Sequence, residues 1–298
     1  MDSQGYAVPR RFLRRSRGLG LLVALVALLA LLVPAASAGA APSYVALGDS
    51  YAAGPLIPLQ IQPYGCLKSD HNYAHLAAPK LGLALRDPSC SGAETEDMTQ
   101  SQGVSPGPNP PQFDSLDADT SVVSLQIGGN DIGFSSIAED CASLFSPSGT
   151  PCQDRYVVNG QDEISARIAQ TAPKVAAVLQ GIHERSPNAR VFVVNYLPIL
   201  PDTGPGCWPQ VPITAEDVPY VRAKEKELNA MLAEQAAANG ATLVDGYTAG
   251  IGHDACKLPA IRWVEPLVPV GPAAPLHPNL LGMIGYADVL VKSVAGTQ

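Results

Sequence analysis

The chain has 298 residues and carries 19 Lys+Arg against 27 Asp+Glu, a formal net charge of −8. An acidic surface of this kind argues against nucleic acid as a partner and against electrostatic docking to anionic lipid. The length allows one large domain after a leader, and no linker or internal repeat divides it.

In chain order, Arg10, Arg11, Arg14, Arg15 and Arg17 form a basic segment, and Leu19 to Val33 is an almost pure Leu/Ala/Val run. The run ends in Pro34-Ala35-Ala36-Ser37-Ala38, a small-residue exit of the Ala-x-Ala kind. These are the parts of a secretory signal peptide over residues 1–38, with cleavage after Ala38 or Ala40. A membrane anchor fits less well, because the uncharged run is at the short limit for a spanning helix and leads into a cleavage site. Arg10-Arg11 hints at a twin-arginine leader, which the following residues do not support. Removing residues 1–38 takes away five arginines and one aspartate, which leaves 14 basic against 26 acidic side chains and a net charge of −12.

Residues 39–298 alternate between strand and helix patterns. Residues 45–48, 81–85, 121–127, 189–195 and 241–245 are short, β-branched runs with little alternation, as expected of parallel strands covered on both faces. Ile164, Ile168, Val175, Val178, Leu179 and Ile182 recur at helical spacing up to Ser186-Pro187, with Pro173 expected to bend that helix or mark a later start. Thr214-Ala215-Glu216-Asp217 has the form of a capping box, opening a helix that buries Val221, Leu228, Met231 and Leu232 and ends at Asn239-Gly240. A final helix is expected over residues 280–294. This alternation predicts an α/β fold, a three-layer α/β/α sandwich around a parallel five-stranded sheet. The Pro/Gly-rich stretches 54–65, 103–111, 201–212 and 266–278 are long loops of the kind that carry function.

The six cysteines Cys66, Cys90, Cys141, Cys152, Cys207 and Cys256 all follow the leader. An even count in an exported chain reads as disulfides, and six cysteines allow fifteen pairings that spacing alone does not choose between. Nearest-neighbour pairing would close three separate loops. Metal binding is the poorer reading, since no Cys-x-x-Cys occurs and no histidine lies at ligand spacing from a cysteine pair.

In an open parallel sheet the site lies at the carboxyl ends of the strands. The first strand ends in Gly48-Asp49-Ser50, the segment after the second carries Ser91-Gly92-Ala93, the third ends in Gly128-Gly129-Asn130-Asp131, and Leu276-His277-Pro278-Asn279 precedes the last helix. A serine needs a base and oxyanion donors to act as a nucleophile, and these segments can supply both at one edge of the sheet. With Gly48-Asp49-Ser50, Gly92, residues 127–134 and His277-Pro278-Asn279, the sequence resembles the secreted SGNH-hydrolase (GDSL esterase/lipase) superfamily, especially its actinobacterial lipases. Gly252-His253-Asp254-Ala255-Cys256 and Arg262-Trp263-Val264-Glu265-Pro266 resemble further signatures of the lipase branch.

The resemblance covers essentially all of the chain after the leader. It implies a flavodoxin-like strand order and sequential disulfides Cys66–Cys90, Cys141–Cys152 and Cys207–Cys256. It also implies Ser50 as nucleophile and His277 as general base, with the backbone amides of Ser50 and Gly92 and the Asn130 side-chain amide as oxyanion donors. The family often places an aspartate three residues before the histidine, where this chain has Ala274. A Ser-His dyad is therefore expected, the His277 Nδ1–H donating to a backbone carbonyl within residues 274–276. Glu265 or Asp254 folding back is the less favoured arrangement.

The plainer roles of these residues are an N-cap for Ser50, a loop residue for Asn130 and amide capping for Asp49. His71 and His75 are read as surface residues at a helix start, His183 as exposed and His253 as structural. Trp263 is read as either a pocket wall or packing, and Ile132 and Phe134 as core residues that could also meet an acyl chain. The expected activity is that of a secreted, extracellular serine esterase/lipase acting on acyl esters of lipid or lipid-like substrates. It is expected to work as a monomer, without cofactor or metal and without stable membrane insertion once the leader is removed. A phospholipase or a carbohydrate O-acetyl esterase is the alternative on the same fold. A non-catalytic flavodoxin-like binding module is the remoter one, with no phosphate-cradling Gly-x-x-x-x-Gly-Lys to favour it.

Overall fold

The computed structural model describes residues 42–296 and, before them, positions 1, 5 and 7. The leader expected over residues 1–38 falls almost wholly outside the described residues.

Five strands form the central sheet: β1 (Ser43–Gly48), β2 (Ala84–Arg86), β3 (Thr120–Gln126), β4 (Arg190–Val194) and β5 (Thr242–Val244). Their order is β2-β1-β3-β4-β5, and every neighbouring pair is parallel. The inner strands are buried along almost their whole length, which explains why they read as continuous apolar runs. The chain leaves β1 toward one side for β2 and returns to the other side for β3. The topological switch point therefore lies between β1 and β3, where open α/β sheets leave a crevice at the strands' carboxyl ends.

The longer helices are α2 (Tyr73–Leu81), α5 (Glu163–Arg185), α6 (Val218–Ala238) and α8 (Leu280–Ala295), with α2 packed on α8 and α5 on α6. Four short ones lie between them: α1 (Ser50–Ala53), α3 (Phe134–Cys141), α4 (Pro151–Tyr156) and α7 (Gly246–Gly250). None of the four is long enough for its apolar periodicity to stand out in the sequence.

Three expectations need correction. The second strand starts at Ala84, because Leu81 still closes α2 and Gly82 caps it in the left-handed conformation. Pro173 does not delay the start of α5, which runs through it from Glu163. The capping box at 214–217 does not open α6. Thr214 Oγ1 accepts from the Asp217 amide, but the Asp217 carboxylate accepts from the Cys152 and Gln153 amides at the start of α4, and helix begins only at Val218.

Cys66–Cys90, Cys141–Cys152 and Cys207–Cys256 are bonded. The first of these ties the loop after α1 to the segment after β2, and the third ties the 201–212 loop to the chain beyond α7.

Candidate active site

Strand β1 delivers Ser50 to the sheet edge through a turn held from several sides. Gln112 grips Gly48 twice, its Oε1 accepting from the Gly48 amide and its Nε2 donating to the Gly48 carbonyl. A Cβ at Gly48 would lie 2.5 Å from the Gln126 carbonyl oxygen of β3, so only glycine lets the two strand ends approach. Asp49 then caps α1, its carboxylate accepting from the Tyr51 amide at 2.9 Å and from the Tyr196 hydroxyl at 2.6 Å. Burial pushes the Asp49 carboxyl up to about 7. The Tyr196 oxygen in turn accepts from the Gly129 amide, which joins the turn after β1 to the glycine turn after β3.

The loop before α8 brings His277 to this serine. Its Nε2 lies 2.7 Å from Ser50 Oγ, and its Nδ1 lies 2.7 Å from the Pro275 carbonyl oxygen. A carbonyl can only accept, so Nδ1 carries the proton and Nε2 is left as the acceptor for the serine hydroxyl. Burial disfavours the imidazolium and lowers the His277 pKa below the ordinary 6.5, with the Pro275 bond acting in the opposite sense.

Neither candidate carboxylate reaches the imidazole. Asp254 accepts from the Cys256 amide. Glu265, also buried, is gripped by Nε and Nη2 of the Arg262 guanidinium and by the Val270 and Gly271 amides, while Asn279 Nδ2 donates to it. These partners hold the Glu265 carboxyl down at about 2. Its backbone also brackets the histidine, since the Glu265 amide donates to the His277 carbonyl and the Leu276 amide to the Glu265 carbonyl.

Gly92 and Asn130 arrive together. The Cys90 amide donates to the Gly48 carbonyl and the Ser91 amide to the Cys66 carbonyl, which seats the segment after β2 against the end of β1. Asn130 Nδ2 donates to the Ala93 carbonyl at 2.9 Å, and Asp131 accepts from the Thr95 amide and hydroxyl. Among the described residues, the backbone amides of Ser50 and Gly92 donate to no protein acceptor. Gly92 has a φ of +82°, while a Cβ there would meet nothing nearer than 3.6 Å. Its left-handed backbone, rather than crowding within the protein, calls for glycine.

Beside Ser50 and His277 opens a largely apolar pocket whose walls include Ile132, Phe134, Ile164, Leu200, Val211 and Leu228. Its enclosed volume is about 110 Å³, somewhat less than a cavity that takes benzene, so a longer chain must extend toward the mouth. Glu225 also faces it, accepting from the Ile199 amide, with burial raising its carboxyl to about 8. Trp263 is no pocket wall: it stacks on His253 at 4.4 Å and packs against Gly285. His183 is partly buried rather than exposed, its Nε2 lying 3.0 Å from the Asn239 carbonyl oxygen. His71 pairs with Asp70, while His75 faces Asn72 and Asp87.

Tyr51, Tyr196 and Glu225 join the site without a sequence signal for it, and Glu265, weighed above only as a partner for the imidazole, pairs with Arg262 instead. Tyr51 adjoins the Gly-Asp-Ser block, but a tyrosine there carries no signature of its own. Its ring centroid lies 5.1 Å from that of His277, and its hydroxyl donates to the Leu276 carbonyl.

A parallel five-stranded α/β/α sandwich with a serine and a histidine joined at the switch point has the fold of an SGNH hydrolase. The GDSL-like lipase/acylhydrolase family matches residues 46–283. A Streptomyces coelicolor protein named Lipase 2 is 41% identical over 275 residues, which cover 87% of this chain and 90% of that protein. Among solved structures, an extracellular lipase from Streptomyces rimosus is 30% identical with a TM-score of 0.69, covering 84% of this chain and 98% of that one. A phospholipase A1 from Streptomyces albidoflavus is 28% identical with a TM-score of 0.70 and the same coverage. The chain belongs to the GDSL-like lipase/acylhydrolase family. It is a carboxylic ester hydrolase. Among the described residues, no helix is long and apolar enough to cross a membrane.

Proposed function

We propose that this protein is an exported lipase that cleaves acyl esters of lipids through an acyl-enzyme on Ser50, with His277 as general base. The observation that carries the reading is the 2.7 Å contact between Ser50 Oγ and His277 Nε2, with His277 Nδ1 committed to the Pro275 carbonyl. Nε2 takes the hydroxyl proton as Ser50 Oγ attacks the ester carbonyl carbon. The tetrahedral oxyanion takes the free Ser50 and Gly92 amides and the second amide hydrogen of Asn130. Nε2 then returns the proton to the leaving alcohol as the ester C–O bond breaks. Water deprotonated by the same nitrogen releases the acid from Ser50.

The Pro275 carbonyl fixes the tautomer without adding a negative charge, and burial, which lowers the His277 pKa, leaves the imidazole neutral at neutral pH with Nε2 free to accept a proton. The apolar pocket supports an acyl chain over an acetylated sugar. The leader-like residues 1–38 support export. Cleavage of phospholipids is the second reading, supported by the likeness to the Streptomyces albidoflavus phospholipase A1.

The test is a nitrophenyl ester series from acetyl to longer chains, assayed on wild type and Ser50→Ala. Activity should vanish in Ser50→Ala and, in wild type, exceed the acetyl rate as the chain lengthens. Retained activity in Ser50→Ala would end the nucleophile assignment, and a maximum at acetyl would end the lipid one.

A further inference from the structure

We infer that the loops 142–149 and 266–276 form one apolar rim that seats the protein on the surface of an aggregated neutral lipid ester. The inference rests on the proposed reading of Ser50 and deepens it by naming the physical state of the substrate.

Three observations carry it. First, large apolar side chains stand in solvent on both loops: Phe145 is 98% exposed, Val268 75% and Val270 72%, with Leu144 exposed beside Phe145. Second, these residues adjoin the wall of the acyl pocket. Ala142 lines the pocket just before Leu144, and Leu267 lines it just before Val268. The segment between the two loops ties them together, the Ser143 amide donating to the Pro212 carbonyl at 2.7 Å and the Leu267 amide to the Gln210 carbonyl at 3.3 Å. Trp208 Nε1 adds a bond to the Ser143 carbonyl. The exposed groups therefore share one rim of one opening.

Third, residues 142–149, 203–213 and 266–276 contain no Asp, Glu, Lys or Arg, in a chain whose formal net charge is −8. A rim meant for water would carry charge, and one meant for anionic head groups would carry lysine or arginine. An uncharged apolar rim beside a largely apolar pocket matches a neutral ester surface. Docking there buries the exposed side chains, and an acyl chain can pass from the aggregate into the pocket without crossing water.

The experiment compares wild type with Phe145→Asp/Val268→Asp on tributyrin, first below its solubility limit as single molecules and then above it as an emulsion. Both forms carry the same N-terminus. The double variant should keep the monomer rate within about two-fold and lose about ten-fold or more on the emulsion, since two buried apolar side chains become two charges. Phe145→Trp/Val268→Leu should retain the emulsion rate. Equal rates on the emulsion would overturn the inference. So would an equal loss on both forms, which would make the loops part of the pocket itself. A change of oligomeric state in the double variant would assign the rim to self-association and overturn it too. Failure of the underlying reading is separate and visible, as tributyrin hydrolysis that survives Ser50→Ala.

Discussion

The Tyr51 hydroxyl donates to the Leu276 carbonyl at 2.7 Å, linking the residue after Ser50 to the residue before His277. Leu276 sits at a φ of +59°, a left-handed conformation that a leucine holds only when its surroundings impose it. The bond spans 225 residues of chain and registers the two halves of the proposed dyad on each other. Tyr51→Phe keeps the ring and removes this bond. A neutral hydrogen bond contributes about 1 kcal/mol, so kcat should fall about three- to ten-fold. Steady-state kinetics on a soluble ester should place the loss on kcat, with KM little changed. An unaltered kcat would show that packing alone sets the histidine.

Ala274→Asp offers His277 the carboxylate that the family often places there. A carboxylate at Nδ1 favours the imidazolium more strongly than the neutral Pro275 carbonyl, whose upward pull burial outweighs. With His277 as the proposed base, its lowered pKa should set the acid limb of the wild-type kcat/KM profile, and the variant's limb should move to higher pH. The activity of the variant should accordingly rise later as pH increases. A superimposable profile would exclude residue 274 as an orienting position.

Asp49 ties stability to pH. Its folded-state pKa of about 7 lies above the ordinary 3.8, so between those values the folded chain holds a proton that the unfolded chain has released. Its stability contribution is therefore complete below about pH 4 and declines as pH rises through 7. Glu225, raised to about 8, acts in the same direction. Asp49→Asn should still accept from Tyr51 and Tyr196 but should flatten the decline. Thermal melts from pH 4 to 8 for both proteins give the comparison, and parallel curves would refute the assignment.

Glu265→Gln leaves Arg262 buried against a neutral partner. Removing one member of a buried ion pair costs about 3 kcal/mol or more, and urea denaturation at neutral pH should show it. Because the Glu265 pKa is lowered to about 2, its contribution in wild type is present above the ordinary 4.5 and lost as pH falls toward 2. The variant's deficit should therefore shrink in acid. A deficit independent of pH would mean that shape, not charge, holds the 265–277 loop.

Much of the candidate site was legible in the chain, because Ser50, Gly92, Asn130 and His277 each stand in a short block at a strand end or before a helix. The strands were legible as apolar runs, since burial on both faces leaves little room for polar residues. Boundaries were less so. Leu81 reads as strand by its neighbours, yet Gly82 makes it the end of a helix. Asp217 reads as a cap, yet its carboxylate serves α4, 64 and 65 residues earlier in sequence. Local propensity is weak beside such contacts.

The sequence by itself determined the strand-helix alternation, the chemistry-bearing residue types and the absence of a carboxylate at position 274, all of which are local properties of the chain. The tertiary structure alone decided that Pro275 supplies the Nδ1 acceptor, that Glu265 turns to Arg262, and that Tyr51 meets Leu276. Each of these depends on a dihedral angle or a contact between distant segments. Hydrogen bonding acts over about 3 Å in space, and no spacing along the chain records it.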